Sequence, residues 1–202
     1  RLRKLVIPLL AAFYLIIFVY IIRGVNMRQK LTTRKIASGG LFLALAVLLP
    51  QVFHLIGGPS AGRTFLPMHI PVLLAGFFAG PVIGVITGIL SPLLSFLLTS
   101  MPMPPMLYFM VIELGGYGFA AGFLFRKLKL NIYVSLIISM IFGRLLYGAA
   151  ILTAVYLLKM NLPPSISVLG AVVAGIPGLV IQIVLIPAVV YLAERRIRLE
   201  SN

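Results

Sequence analysis

The segment FLPMHIPVLLAGFFAGPVIGVITGILSPLLSFLLT, residues 65–99, decides the fold of this chain. It has no charged residue, but it carries one His, four Pro and four Gly. A single helix of this length would rise roughly 52 Å, whereas the hydrocarbon core of a bilayer is about 30 Å thick. The chain must therefore turn within the segment, and Gly80-Pro81 is the natural position because Gly ends helices and Pro begins them. The sequence predicts two short membrane helices, at about residues 67–80 and 81–100, whose polar groups are covered by protein or face a cavity.

The composition is that of an integral membrane protein. Of 202 residues, 61% are hydrophobic and only 10% are charged, and the mean hydropathy is +1.16. Soluble domains contain about 25% charged residues. The net charge of +14 arises from 17 basic residues against three acidic ones. Because the basic residues lie between apolar segments, they indicate membrane topology rather than nucleic-acid binding.

Apolar segments of spanning length recur along the whole chain. The predicted spans are residues 5–22, 36–56, 67–80, 81–100, 106–125, 132–158 and 166–192, with loops at 57–64 and 101–105. The fold class predicted is all-α, a compact six-helix transmembrane bundle with one additional N-terminal helix. Residues 27–202 form the six-helix domain in this interpretation. Residues 1–26 form the extra helix, which is appended, fused or a natural extra span.

The distribution of basic residues predicts the orientation. Eleven of them fall within residues 23–35, 126–131 and 193–202, which lie on one side of a six-span bundle, and only Arg63 and Lys159 fall in the opposite loops. The positive-inside rule therefore places both ends of the six-helix body in the cytoplasm.

Four polar side chains are predicted to converge at one depth inside the membrane. Glu113, Arg144 and Gln182 lie 12 or 13 residues from the cytoplasmic ends of their helices, and His69 lies 11 residues from Gly80. At about 1.5 Å per residue, these positions are roughly 16–20 Å above the cytoplasmic ends. An unpaired membrane charge costs several kcal/mol, so Glu113 and Arg144 are predicted to pair. The pair either fastens two helices or binds a solute, and His69 is either an interhelical contact or a ligand contact.

Two further features each have two interpretations. Arg63, in a Gly-rich loop, is either a solvated interfacial residue or part of a lid that meets an anionic or carbonyl-bearing substrate. The small-residue stripe Ala37, Gly40 and Ala44 on the first helix either packs internally or docks another membrane protein.

Motifs for catalysis are missing from the sequence. It contains no Gly-x-x-x-x-Gly-Lys-Ser/Thr phosphate loop, no His-Glu-x-x-His and no Gly-x-Ser-x-Gly, and it has no Cys. Glu113 is the one acidic residue within a predicted span, which excludes paired-carboxylate chemistry. We therefore expect no enzyme activity, no cofactor, no metal site and no nucleic-acid partner.

Several segments resemble the substrate-binding (S) components of energy-coupling-factor vitamin transporters. These are LPMHIPVLLAG at 66–76, AGPVIGVITG at 79–88, SPLLS at 91–95 and ELGGYGFAAG at 113–122, within a resemblance that covers residues 28–195. The resemblance implies a subunit of the bacterial or archaeal cytoplasmic membrane that captures a vitamin or precursor from outside. It also implies a lid after the first helix, and association with a transmembrane coupling protein and two cytoplasmic ATPases.

Carried over by position, the resemblance nominates seven substrate-binding residues and three docking residues. The binding residues are Arg63, His69, Glu113, Tyr117, Arg144, Tyr147 and Gln182, and the docking residues are Ala37, Gly40 and Ala44. An Arg and a Glu at one level suit a solute with both donors and acceptors, such as a pyrimidine, a pyridine or a pantothenate-like compound, and the apolar surroundings suit a flat ring. The alternatives are a self-contained secondary transporter or channel, with Glu113 and His69 as proton-linked groups, and a membrane scaffold without transport.

Overall fold

The chain is a bundle of α-helices in a computed structural model that describes residues 32–163 and 166–200. The helices are α1 (Thr33–Phe65), α2 (His69–Ala79), α3 (Pro81–Thr99), α4 (Met106–Gly122), α5 (Ile132–Leu152), α6 (Val168–Ala174) and α7 (Ile176–Glu200). A π-helical turn follows α4 at Phe123–Lys127, and another follows α5 at Thr153–Leu157. In the described residues, six segments are long and apolar enough to cross a membrane. The predicted all-α, six-span fold is therefore confirmed. The extra helix predicted within residues 1–26 lies outside the described residues.

The turn predicted at the centre of residues 65–99 is confirmed. Helix α2 ends at Ala79, and α3 begins at Pro81. Gly80 joins them with φ 93°, a backbone conformation that side chains other than glycine rarely adopt. One residue thus reverses the chain at one end of the bundle.

The loop predicted for residues 57–64 is wrong, because α1 continues to Phe65. Gly58, with φ 66° and ψ −169°, interrupts the helical conformation at a kink, and the helix resumes beyond it. Pro59 follows the kink, and the first turn of a helix is where proline is tolerated. Gly62 lets the part of α1 after the kink lie close to the part before it, since a Cβ atom on Gly62 would lie 2.5 Å from His54 Nε2. Gly58 and Gly62, which suggested a loop in the sequence, instead permit a kink and a close contact between the two parts of one helix.

The single helix predicted over residues 166–192 is also wrong. Helix α6 ends at Ala174, and α7 begins at Ile176, with Pro177 in its first turn. Gly175 lies at the break, where a Cβ atom would meet Leu66 Cδ1 at 2.9 Å and Arg144 Nη2 at 3.0 Å. The break thus brings the backbone close to a charged side chain of α5.

Helices α3 and α4 approach each other backbone to backbone through glycines. A Cβ atom on Gly84 would collide with the carbonyl of Gly118, and one on Gly88 would collide with the carbonyl of Leu114. Gly122 packs in the same way against Pro81. Such close approach between membrane helices maximises van der Waals contact where no hydrophobic effect drives association.

Helix α2 is central to the core, since nine of its eleven residues are buried. Its Val72, Leu73 and Phe77 pack in one cluster with Leu114 of α4 and Ile186 of α7. At its C-terminal end, Arg126 donates from Nε to the Phe77 carbonyl (2.7 Å) and from Nη2 to the Phe78 carbonyl (2.8 Å). These bonds satisfy carbonyls that a helix end leaves unpaired.

Candidate functional site

A cavity of about 580 Å³ lies at the end of the bundle remote from Arg126. Its walls come from α1 on both sides of the kink at Gly58, the residues that lead into α2, and the end of α3. The α3–α4 loop, the first half of α4, the middle of α5 and the segment around α6 complete them. Small-molecule sites typically have volumes of about 300–1,000 Å³. The cavity is therefore large enough for a vitamin-sized solute.

The predicted ion pair forms part of the cavity lining. Glu113 Oε1 lies 2.9 Å from Arg144 Nη1, and Glu113 is only 2% exposed. His69 Nε2 lies 3.7 Å from the same carboxylate oxygen, which is too long for a hydrogen bond. Three ionisable side chains from α2, α4 and α5 thus meet at the buried end of the cavity, which we call the floor.

Several polar atoms of the floor have no hydrogen-bond partner among the described residues. They are both ring nitrogens of His69 and the Nε and Nη2 atoms of Arg144. A buried polar group without a partner costs about 1–3 kcal/mol, and a charged one costs more. Each such group in a native structure calls for an explanation, and a role in function is one of them. The floor therefore has the capacity to bind a polar solute.

Thioethers and prolines make up much of the remaining wall. The α3–α4 loop contributes Met101 through Met106, and Met68 and Met110 extend the same surface. Tyr147 completes it, with its hydroxyl 3.7 Å from the sulfur of Met106. Flexible methionines adapt to irregular apolar surfaces. The wall therefore suits the apolar body of a solute.

Five of the seven nominated binding residues line the cavity, and two do not. Those that line it are Arg63, His69, Glu113, Arg144 and Tyr147. Tyr117 lies behind His69, with ring centroids 5.1 Å apart in an edge-to-face arrangement. Gln182 is fully buried on α7, and neither amide atom has a hydrogen-bond partner among the described residues.

Sequence reasoning did not nominate some residues that line the cavity. His54 and Ser95 belong to this group, as do Ser167 and Ala171 near α6. The methionine-rich α3–α4 loop carried a usable signal, because soft side chains between prolines suit the cover of a pocket as well as they suit a stiff connector. The residues near α6 carried none, since their position depends on the break at Gly175.

The nominated docking residues lie away from the cavity, near the opposite end of the bundle. Ala37, Gly40 and Ala44 are all exposed along α1, and a Cβ atom on Gly40 would meet nothing within 4 Å. Leu41 and Leu48 on the same helix are each 60% exposed. Among the described residues, no three His, Asp or Glu side chains cluster closely enough to hold a metal ion.

The fold defines a multi-pass membrane protein with a cavity at one end, whose wall is mostly apolar and whose floor is polar. Residues 34–190 match the family described as ECF transporter, substrate-specific component, so the chain belongs to this family. It is thus a substrate-specific membrane transport component, as the resemblance indicated. Comparison with curated proteins and with solved structures gives no significant match.

Proposed function

We propose that this chain captures a small water-soluble vitamin or precursor from outside the cell and delivers it through an ATPase-driven coupling module. The observation that carries the proposal is the buried Glu113–Arg144 pair on the floor of the cavity, beside His69. A few convergent polar groups in a mostly apolar pocket are typical of small-molecule sites.

The positions of the basic residues support an outward-facing cavity. Arg34, Lys35 and Arg126 lie near the end of the bundle opposite the cavity, together with Lys127 and Lys129. The positive-inside rule assigns that end to the cytoplasm. The cavity then opens toward the outer face of a cytoplasmic membrane, where a solute arrives.

The exposed stripe on α1 supports association with a transmembrane coupling protein. Ala37, Gly40 and Ala44 present exposed small residues, at which another membrane helix can pack closely. Because the chain carries no phosphate loop, we assign ATP hydrolysis to two partner ATPases and no catalytic role to this chain.

A thermal-shift screen of the purified full chain against B vitamins and their precursors tests the proposal. A solute at 100 times its dissociation constant adds about 2.7 kcal/mol to the free energy of unfolding. We expect one chemically related group of solutes to raise the Tm, with no effect on the double variant Glu113→Gln/Arg144→Met.

Two results would contradict the proposal. One is that no vitamin or precursor raises the Tm of a well-folded sample, which favours the scaffold. The other is proton-driven uptake into liposomes that contain this chain alone, which favours the secondary transporter.

A further inference from the structure

We propose that the solute is an anion whose charged group binds at Arg63 and whose neutral, hydrogen-bonding end binds at the Glu113–Arg144 pair. This assignment of substrate class rests on the proposed function. It follows from a difference in charge between the two ends of the cavity. The charges of Glu113 and Arg144 on the floor compensate each other, whereas the exposed end, which we call the mouth, carries the positive charge of Arg63.

The floor is electrically compensated. The carboxylate of Glu113 already pairs with Arg144 at 2.9 Å. A carboxylate from the solute would have to approach the charge of Glu113, and a cation would have to approach that of Arg144, each in a poorly solvated site where repulsion is strong. A neutral group that carries both a donor and an acceptor meets neither penalty.

The floor also offers the matching partners for such a group. The Nε and Nη2 atoms of Arg144 are donors that the pair with Glu113 leaves unused, and Glu113 is an acceptor. His69 supplies a donor or an acceptor according to its tautomer. Neither of its ring nitrogens has a hydrogen-bond partner among the described residues. An amide, ureido or hydroxyl-bearing head can use these groups together.

The mouth of the cavity, in contrast, carries an uncompensated positive charge. Arg63 lines the same cavity, and its side chain is exposed. The chain has only two acidic residues besides Glu113, namely Glu194 and Glu200, and both belong to the last turns of α7 at the opposite end of the bundle. The part of the chain that the structure describes therefore offers no counter-ion for Arg63 at the mouth.

Arg63 is held on ordered backbone rather than on a loose loop. It lies in the last turn of α1, where the rings of Phe53 and Phe65 pack at 5.4 Å between centroids. The carbonyl oxygen of Phe65 lies close to Gly178 of α7, because a Cβ atom on Gly178 would be 2.6 Å from that oxygen. Because the backbone at Arg63 is already held, only the side chain has to be ordered when the guanidinium binds a carboxylate or phosphate.

The wall between mouth and floor is uncharged and rich in Met and Pro. Among the residues that line the cavity, the ionisable ones besides Arg63 and the floor are His54 and Tyr147. This surface fits the apolar middle of a solute that has an anionic group at one end and a neutral polar head at the other.

The test compares pairs of solutes that differ at one group, which is a carboxylate in one member and a neutral group in the other. Pantothenate and panthenol, nicotinate and nicotinamide, and biotin and biotinamide each pair a carboxylate with a neutral analogue. Affinities are measured by calorimetry on the purified full chain, on Arg63→Gln and Arg63→Lys, and on Lys159→Gln. Lys159 is exposed and not part of the cavity lining, and its loop precedes α6, so its replacement removes a charge outside the cavity.

For at least one pair, we expect the carboxylate to bind about tenfold more tightly than its neutral analogue. Arg63→Gln should reduce that ratio to about one, Arg63→Lys should retain part of it, and Lys159→Gln should leave it unchanged. Raising the NaCl concentration from about 50 to about 500 mM should lower the ratio in the wild type but not in Arg63→Gln.

The contrary outcomes separate this inference from the proposed function. If a neutral or cationic solute binds most tightly, or if the preference for carboxylates persists in Arg63→Gln, the charge assignment is overturned while the proposed function stands. If no solute of any charge binds to the folded chain, both are overturned.

Discussion

The two ends of the helical bundle are built from different residues. At the end that carries Arg126, α3 and α4 touch backbone to backbone through Gly84 and Gly118, and Gly122 packs against Pro81. At the other end, the same two helices present Ser95 and Glu113 to a cavity of about 580 Å³. Small residues hold the helices together at one end, and polar residues are kept at the other despite their cost.

This difference indicates that one end of each helix stabilises the fold and the other end forms the cavity. The glycine-packed end gains stability from dispersion contacts, which need no ligand. The cavity end keeps buried polar atoms that have no hydrogen-bond partner in the described part of the chain, and these cost stability unless a solute bonds to them. We therefore expect substitutions at the first end to change folding and substitutions at the second to change binding, except where the ion pair contributes to both.

The largest effect is expected from breaking the ion pair. Either Glu113→Gln or Arg144→Met leaves one buried charge uncompensated, which should cost about 3–5 kcal/mol in the free energy of unfolding. The double variant leaves no charge there and should recover most of that loss. Denaturant unfolding in detergent measures all three, and a double variant no more stable than either single one would refute electrostatic coupling.

A smaller loss is expected at the glycine contact. Gly84→Ala places a methyl group against the Gly118 carbonyl and should destabilise the protein by about 1–3 kcal/mol through overpacking. Gly40→Ala is the matched control, because a Cβ atom there meets nothing within 4 Å. Thermal unfolding should show Gly40→Ala equal to the wild type or slightly more stable, and equal Tm values for the two variants would contradict the packing account.

The smallest of the three stability effects is expected at Arg126. Replacing it with Gln removes two charge-assisted hydrogen bonds to the carbonyls of Phe77 and Phe78, which should cost about 1 kcal/mol because the side chain is partly solvated. Lys129→Gln removes the same charge from the same loop and is the control. If both variants unfold at the same Tm, the loss is due to charge and not to the hydrogen bonds.

The sequence predicted the features that depend on local chemistry or on simple spacing. Gly80-Pro81 determined the turn because glycine alone readily adopts φ 93° and proline begins a helix. The pairing of Glu113 with Arg144 followed from their equal depth and from the cost of an unpaired charge in a membrane.

Features that depend on tertiary packing could not be predicted in this way. Helix α1 continues beyond Gly58 because the residues after the kink pack against His54 and against α7. Neither contact can be read from the local sequence. The break at Gly175 depends on a close approach to Arg144 across the bundle.

Depth along a helix also leaves rotation about its axis undetermined. Tyr117 and Gln182 were nominated as binding residues, but Tyr117 packs behind His69, and Gln182 lies outside the cavity lining. Only the packed bundle shows which face of each helix borders the cavity.

Isothermal titration of the purified chain with the strongest responder from the solute screen tests the central claim most directly. The account predicts one solute bound per chain without any partner protein, an affinity reduced by about 100-fold or more in Glu113→Gln/Arg144→Met, and wild-type affinity in folded Arg126→Gln. Binding that survives in the double variant, or that is lost equally in Arg126→Gln, would contradict the assignment of the cavity end as the binding site.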